Sequence, residues 1–371
     1  MAKPKTMAKP KTKAKPKTKA AKSKQSDFVI ADQRIAPGER KQFNLPGAQL
    51  YTHTPLDTPI EVIHGKKPGP TLLICSAVHG DELNGVEIIR RLRTLPELNT
   101  LSGTLVLVPV VNLHAFLNQS RYLPDRRDLN RCFPGSKKGS LGSCIAHGFF
   151  SQVVKQCTHA IDLHTAAVNR DNLPQMRADL SSPAVKKMAM GFSIPVIINS
   201  RLIDKSLRAE AAEIGIPVVT YEAGEALRFS EQAIVTGVRG ITNTLRSLGM
   251  LRGRKSKTAT KKPAIARSST WMRASTDGMF RPLVELGARV KKGDVLGVVS
   301  SPFSSISERI CSSVQGIVIG LARQPLVNEG EALCHIAVFS EVQSVAKTIA
   351  VHSNSIEKDP LYGIEQVDAV G

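Results

Sequence analysis

From residue 71 onward the chain alternates short, unbroken apolar runs with longer segments whose apolar residues recur every three or four positions. The run TLLICSAV (71–78) is followed by NGVEIIRRLRTL (84–95), in which Val86, Ile89, Leu92 and Leu95 share one helical face. TLVLVPVVN (104–112), HAIDLH (159–164), PVIIN (195–199) and IPVVTYEAG (216–224) read as further strands. Helices are predicted over 145–154, 183–191, 204–213 and 231–248, and short apolar segments within 45–63 supply an entry strand or two. Continuous Val/Ile/Leu strands alternating with helices predict an α/β domain with a mostly parallel sheet flanked by helices. Ligands in such sheets bind beyond the carboxyl ends of the strands.

The alternation stops at the Pro/Ser/Lys-rich stretch 251–270, which reads as a basic linker, and short strands with Gly turns follow it. VKKGDVL (290–296) recurs as VNEGEAL (327–333), and DGMF (277–280) matches QGIV (315–318), which predicts a small all-β domain built around a pseudo-twofold axis. The expected organisation is a disordered Lys/Pro-rich tail (1–25), an α/β domain (26–250), the linker (251–270), the β domain (271–340) and a polar C-terminal tail (341–371) that adds a strand or stays irregular.

The formal charge of +20 changes this picture little, because of where it lies. Residues 1–25 hold ten lysines and residues 251–267 hold seven Lys/Arg, both without an acid, so the remainder is close to balanced. A folded nucleic-acid face is not indicated, and with one Trp and four Tyr in the whole chain a base-stacking surface is not either. The repetitive tail, in which A-K-P-K-T recurs, is self-repelling and can contact polyanions non-specifically. The six cysteines form no C-x-x-C pair, and the chain shows no apolar leader and no run long enough to span a membrane, so a cytoplasmic protein is expected.

The strand ends collect the candidate chemistry. The 71–78 strand delivers His79 and Glu82, the 159–164 strand delivers His164 behind Asp162, and the 216–221 strand delivers Glu222. His-x-x-Glu on a strand-to-helix turn, joined by a distant histidine, makes a His₂Glu set that leaves a catalytic zinc its open position. A nearby carboxylate, for which Glu222 is the candidate, can take a proton from water and pass it to a leaving nitrogen. The alternative for His79 and Glu82 is an ordinary polar helix start. RYLPDRRDLNRCFPG (121–135) is rich in arginine, which grips carboxylates bidentately; alternatively its arginines pin the loop through Asp125 and Asp128.

Taken in order, HGDE, RRDLNRCFPG, DLHT and YEAGE resemble the succinylglutamate desuccinylase/aspartoacylase family, within the wider zinc-carboxypeptidase-like group, over roughly residues 45–340. The resemblance implies a zinc-carboxypeptidase-like α/β domain followed by a smaller β domain. It implies one zinc ion per chain held by His79, Glu82 and His164, with Glu222 as general base and proton shuttle. Asn130 and Arg131 would then hold a substrate carboxylate. An arginine upstream of that pair would polarise the scissile carbonyl; Arg121, Arg126 and Arg127 all compete for this role, Arg121 and Arg127 ranking together ahead of Arg126, which is the further substrate contact. The β domain resembles a biotinyl/lipoyl-like barrel, but SPFSSISERICS (301–312) lacks the lysine of a modified carrier. The activity implied is hydrolysis of the amide bond of a small N-acyl amino acid or a related carboxylate-bearing compound. A zinc carboxypeptidase acting on short peptides and a non-catalytic, polyanion-tethered binding protein are the alternatives.

Overall fold

The computed structural model describes residues 25–253, 263–303, 305 and 307–362. The expected Lys/Pro-rich tail, the middle of the expected linker and the last nine residues lie outside the described residues.

The chain enters through a hairpin, β1 (Phe28–Ile30) and β2 (Gln33–Ile35). It then builds one side of a large sheet with β3 (Arg40–Leu45), β4 (Thr58–His64), β5 (Lys67–Ser76) and β6 (Ser102–Val108), with α1 (Asn84–Leu92) crossing from β5 to β6. After β6 come the short α2 (Leu113–Leu117) and α3 (Leu141–Gln152), then β7 (His159–Ala166) and β8 (Arg170–Ala178). The first half closes with α4 (Pro183–Phe192), β9 (Val196–Asn199), α5 (Leu207–Glu213), β10 (Val218–Glu225) and α6 (Glu231–Ser247).

The parallel core is β6-β5-β7-β10, and its alternation sorts side chains onto two faces. Leu72 and Ile74 of β5 pack with Ile88 and Leu92 of α1, Phe192 of α4 and Ile241 of α6. Leu73 and Cys75, one residue out of phase, pack with Phe149 and Phe150 of α3 and Leu207 of α5. Burial on both faces is why these strands read as unbroken apolar runs.

The sheet is less parallel than the pattern predicts. β3 and β4 flank the core antiparallel, and on the other side β8, for which no element is expected between 165 and 182, is a nine-residue strand antiparallel to β10. Residues 167–169 alone separate β7 from β8, too few for a parallel crossover, and β10 lies between the two strands.

The second half does not stand apart from this sheet. Of the expected linker, Ala264–Ala266 form β11 beside β9, and Ser268–Arg273 form β12. There follow β13 (Gly278–Pro282), β14 (Arg289–Val290), β15 (Val295–Ser300), β16 (Ser307–Cys311), β17 (Gly316–Ala322), β18 (Leu326–Val327) and β19 (Ala332–Val338). β17 pairs with the start of β8, and β19 and β12 extend the sheet outward; β16, β15, β13 and β18 form a separate four-stranded sheet. The sequence repeat is visible in the pairing: β13 pairs β18 while β14 pairs β17, each repeat lending a strand to the other. The matching turns are built alike, Asp294 accepting from the Lys291 amide and Glu331 from the Asn328 amide. The segment after 340, expected as an added strand or irregular tail, is instead α7 (Val342–Glu357), whose Val342 and Val345 pack with Ile317, Ile319 and Phe339.

Where the two halves meet, His335 of β19 is buried, its Nδ1 has no partner among the described residues, and its ring stacks on Trp271 at 4.5 Å and 10°. Burial, helped by the Arg177 charge, pushes its pKa down to about 3. A histidine kept neutral when folded but protonated below ~6.5 when unfolded stabilises the fold above that pH, and this contribution is lost as pH falls from ~6.5 towards the folded value. His335→Phe, which keeps a flat ring, removes this proton linkage. In urea melts from pH 7.5 to 4.5, its stability relative to wild type should therefore rise on acidification, by on the order of 2 kcal/mol or more; a pH-independent difference would contradict the assignment.

Candidate active site

The carboxyl ends of β5, β7 and β10 converge. Backbone pairing sets Cys75 beside Asp162 and Ser76 beside Leu163, so the chain leaves β5 level with His164, and His164 pairs in register with Glu222. Beyond β5 the backbone turns at Ala77, with φ at 49°, and Gly80 passes so close to α2 that a Cβ there would lie 2.0 Å from the Ala115 carbonyl carbon. This approach presses His79 and Glu82 inward before α1 begins. Asn84, at the first turn of α1, donates to the Ala223 carbonyl and accepts from the Ser230 amide, tying this corner to the end of β10.

His79, Glu82 and His164 are all buried, and one candidate ligand atom from each lies within 4.8 Å of the others. Glu82 spans the histidines: Oε1 is 2.7 Å from His79 Nδ1 and Oε2 is 2.7 Å from His164 Nδ1. The outer nitrogens are also held, His79 Nε2 by Asp128 at 3.1 Å and His164 Nε2 by Asp162 at 2.8 Å. A carboxylate on the far nitrogen fixes the ring and keeps Nδ1 available for a cation, the usual outer bracing of metal-binding histidines. Burial alone would raise the Glu82 carboxyl, but the two imidazoles outweigh it and hold it well below the carboxylate range. Burial lowers both imidazoles, and the surrounding carboxylates more than reverse this, so both histidines are raised, His164 strongly. Three carboxylates around two imidazoles make a pocket that demands positive charge. Two nitrogens and a carboxylate oxygen in a tight buried set suit a zinc-type divalent ion.

The loop arginines separate. Arg121 reaches the cluster: Nη1 is 3.2 Å from His79 Nδ1 and 3.4 Å from Glu82 Oε1, and Nη2 donates to Asp128 at 3.0 Å. Arg126 and Arg127, expected as substrate contact and catalytic candidate, do not line the cavity; both are exposed, and Arg127 faces Asp125 at 3.8 Å. The loop turns at Arg126, with φ at 61°, and the Arg126 amide closes onto the Leu123 carbonyl, which leaves these two side chains outside. Asn130 and Arg131 do line the cavity, although Asn130 Oδ1 is engaged by the Leu207 amide at the start of α5.

Glu222 lines the same cavity, of about 270 Å³, as the His–Glu–His cluster. Its Oε2 accepts from Asn172 at 3.1 Å, and its Oε1 lies 3.4 Å from Arg177 Nε. Both neighbours come from β8, and neither was expected. Nor was Arg208, a buried guanidinium on α5 that donates to Ser200 Oγ and the Arg201 carbonyl and has no carboxylate ion pair among the described residues. Burial, with Arg177 nearby, pulls its pKa below the ordinary value. The signal for Arg208 was an arginine inside the buried stripe of α5, between Leu207 and Ala211. For Asn172 and Arg177 no apolar pattern marked the strand at all. For Asp162 the D-x-H spacing was visible, but the pairing needed the fold.

Residues 68–248 match the model of the succinylglutamate desuccinylase/aspartoacylase catalytic domain. The N-alpha-acetyl-L-2,4-diaminobutyric acid deacetylase of Halomonas elongata is 26% identical over 298 residues, covering 76% of this chain and 85% of that enzyme. The product-bound structure of the ectoine utilization protein EutE (DoeB) from Ruegeria pomeroyi has a TM-score of 0.72 at 25% identity, covering 84% of this chain and 98% of that one. A succinylglutamate desuccinylase/aspartoacylase structure from Rhodobacter sphaeroides shares the fold, with a TM-score of 0.73 at 24% identity over 81% of this chain and 96% of that one. The cluster of β5, β7 and β10 lies inside the matched region, and residues 68–248 are a catalytic domain of the succinylglutamate desuccinylase/aspartoacylase family.

Proposed function

We propose that the protein hydrolyses the amide bond of a small N-acyl amino acid, with one zinc ion per chain bound by His79, Glu82 and His164. The observation carrying this reading is that the buried cluster and the Glu222 carboxylate line one cavity whose other charged walls are arginines. Zinc, when bound, polarises a carbonyl and makes water acidic near neutral pH. Glu222 takes a proton from the attacking water, the carbonyl carbon gains a C–O bond as its C–N bond breaks, and Glu222 returns the proton to the departing nitrogen. The products are a carboxylate and a free amine. Asn172 and Arg177 hold the Glu222 carboxylate at its two oxygens, so it is oriented before substrate arrives. Arg121 stands beside the cluster as the donor to the carbonyl oxygen on which charge develops.

Arg208, buried and in no carboxylate ion pair among the described residues, offers the desolvated positive charge that a substrate carboxylate needs, with Arg177 close to it and Arg131 at the rim. The likeness to a diaminobutyrate deacetylase makes N-alpha-acetyl-L-2,4-diaminobutyrate the first substrate to test. A cavity of about 270 Å³ fits a single acylated amino acid better than a peptide, which ranks a carboxypeptidase activity second. A small, all-β domain of biotinyl/lipoyl-like form would serve here as a wall of that cavity.

Metal analysis of the purified protein should find about one zinc per chain, and His79→Ala or His164→Ala should lose it. Glu222→Gln should keep the metal while kcat falls by about 10²–10⁴-fold; a nearly active variant would remove Glu222 from the reaction. Arg208→Gln should raise KM about tenfold or more with a smaller effect on kcat, the signature of lost ground-state binding. A drop confined to kcat would assign Arg208 elsewhere.

A further inference from the structure

The chain's single tryptophan stands outside the matched catalytic region, on β12, yet lines the cavity with the metal-binding cluster and Glu222. We propose that Trp271 is the length gauge for the acyl group, a specificity-determining wall that the C-terminal strands add to the catalytic domain. The proposal rests on the deacylase reading above and extends it to the choice of acyl chain.

The cavity has two chemically different ends, both carried by β8. Arg170 and Asn172 lie at its start and Arg177 near its finish. Glu222 is contacted by Asn172 from one side and Arg177 from the other, so the reacting centre lies between the ends. The Arg177 end contains Arg208 and Ser200 and suits the carboxylate of the amine product. The opposite end is lined by Ala166, Ala167, Arg170 and Trp271, two methyl side chains and an indole with one cation. An amide whose amino-acid carboxylate sits at the arginine end and whose carbonyl sits at the metal cluster directs its acyl chain to this other end.

Trp271 is built to stay in place. His335 stacks on it, and the Arg170 guanidinium carbon lies 5.6 Å from its ring centre. Beneath, a Cβ on Gly320 would come within 3.1 Å of Asn172 Oδ1 and of the His335 Cβ, and 3.4 Å from the indole, so β17 lies against this corner with no spare room. Asn172, which holds Glu222, is part of the same packing, so the wall that measures the acyl chain is continuous with the support of the base. An indole stacked on His335 and packed at the Gly320 corner resists displacement by a longer chain.

The test compares N-acetyl, N-butyryl and N-hexanoyl derivatives of one amino acid on the zinc-loaded wild type, Trp271→Phe and Trp271→Ala. The Ala variant should raise kcat/KM for N-butyryl relative to N-acetyl about tenfold, the usual worth of one or two methylenes in a pocket. The Phe variant, which keeps a ring on His335, should hold close to the wild-type ratio. An unchanged acyl profile in folded, metal-loaded Trp271→Ala, or a change that follows the amino acid instead, overturns the proposal. Trp271→Leu serves if the Ala variant is insoluble. On wild type, acetohydroxamate and butyrohydroxamate should each shift the emission of this lone tryptophan; emission unaltered across the series also overturns it. If wild type cleaves none of the amides but its emission responds to the hydroxamates, the deacylase reading fails while the acyl wall stands.

Discussion

One carboxylate shared by two imidazoles organises this molecule. Glu82 reaches Nδ1 of both His79 and His164, and Asp128 and Asp162 hold the opposite nitrogens. Such a chain of charged groups is costly to bury, and removing one member of a buried pair typically costs about 3–5 kcal/mol because its partner is left uncompensated. The arrangement therefore has to be imposed by the sheet. β5 and β7 are adjacent and parallel, which fixes where His79 and His164 emerge, and the tight passage of Gly80 against α2 brings Glu82 between them. The Thr165 amide also donates to Glu82, so the end of β7 supplies both a candidate ligand and a restraint.

The electrostatics of the cavity divide along the same lines. The cluster concentrates negative charge, which a divalent ion would balance, while the arginines around it concentrate positive charge. Arg121 is neutralised locally, through Asp128 and Glu82. Arg177 leans on Glu222, and among the described residues the Arg208 guanidinium donates to the Ser200 hydroxyl and the Arg201 carbonyl. Positive charge in no carboxylate ion pair among the described residues thus gathers at the Arg208 end of the cavity, away from the His–Glu–His cluster.

The link between the halves is β8. It pairs with β10 along one edge, and along the other with β17 at its start and β9 at its finish. Through it the C-terminal strands continue the catalytic sheet, and they place Trp271 and His335 beside Asn172. The division between an α/β half and a β half is clear in the chain's pattern, yet the cavity belongs to both.

Periodicity and composition determined the parallel core, the helices that cover it, the repeat in the C-terminal strands and the strand ends at which His79, Glu82, His164 and Glu222 stand. These were legible because residues buried on both faces must be apolar and residues at a strand's end are free to be polar. The tertiary structure alone decided the rest. β8 escaped notice because Arg170, Asn172 and Arg177 face a cavity where polar side chains are needed, which erases the apolar signal of a strand. Arg121, Arg126 and Arg127 could not be ranked by spacing, since one turn at Arg126 sends the latter two outward. Which carboxylate braces which histidine, that Arg208 pairs with no carboxylate among the described residues, and that a tryptophan from β12 lines the cavity all depend on segments far apart in the chain. Local pattern records which groups must avoid water; it carries no record of which distant group each one meets.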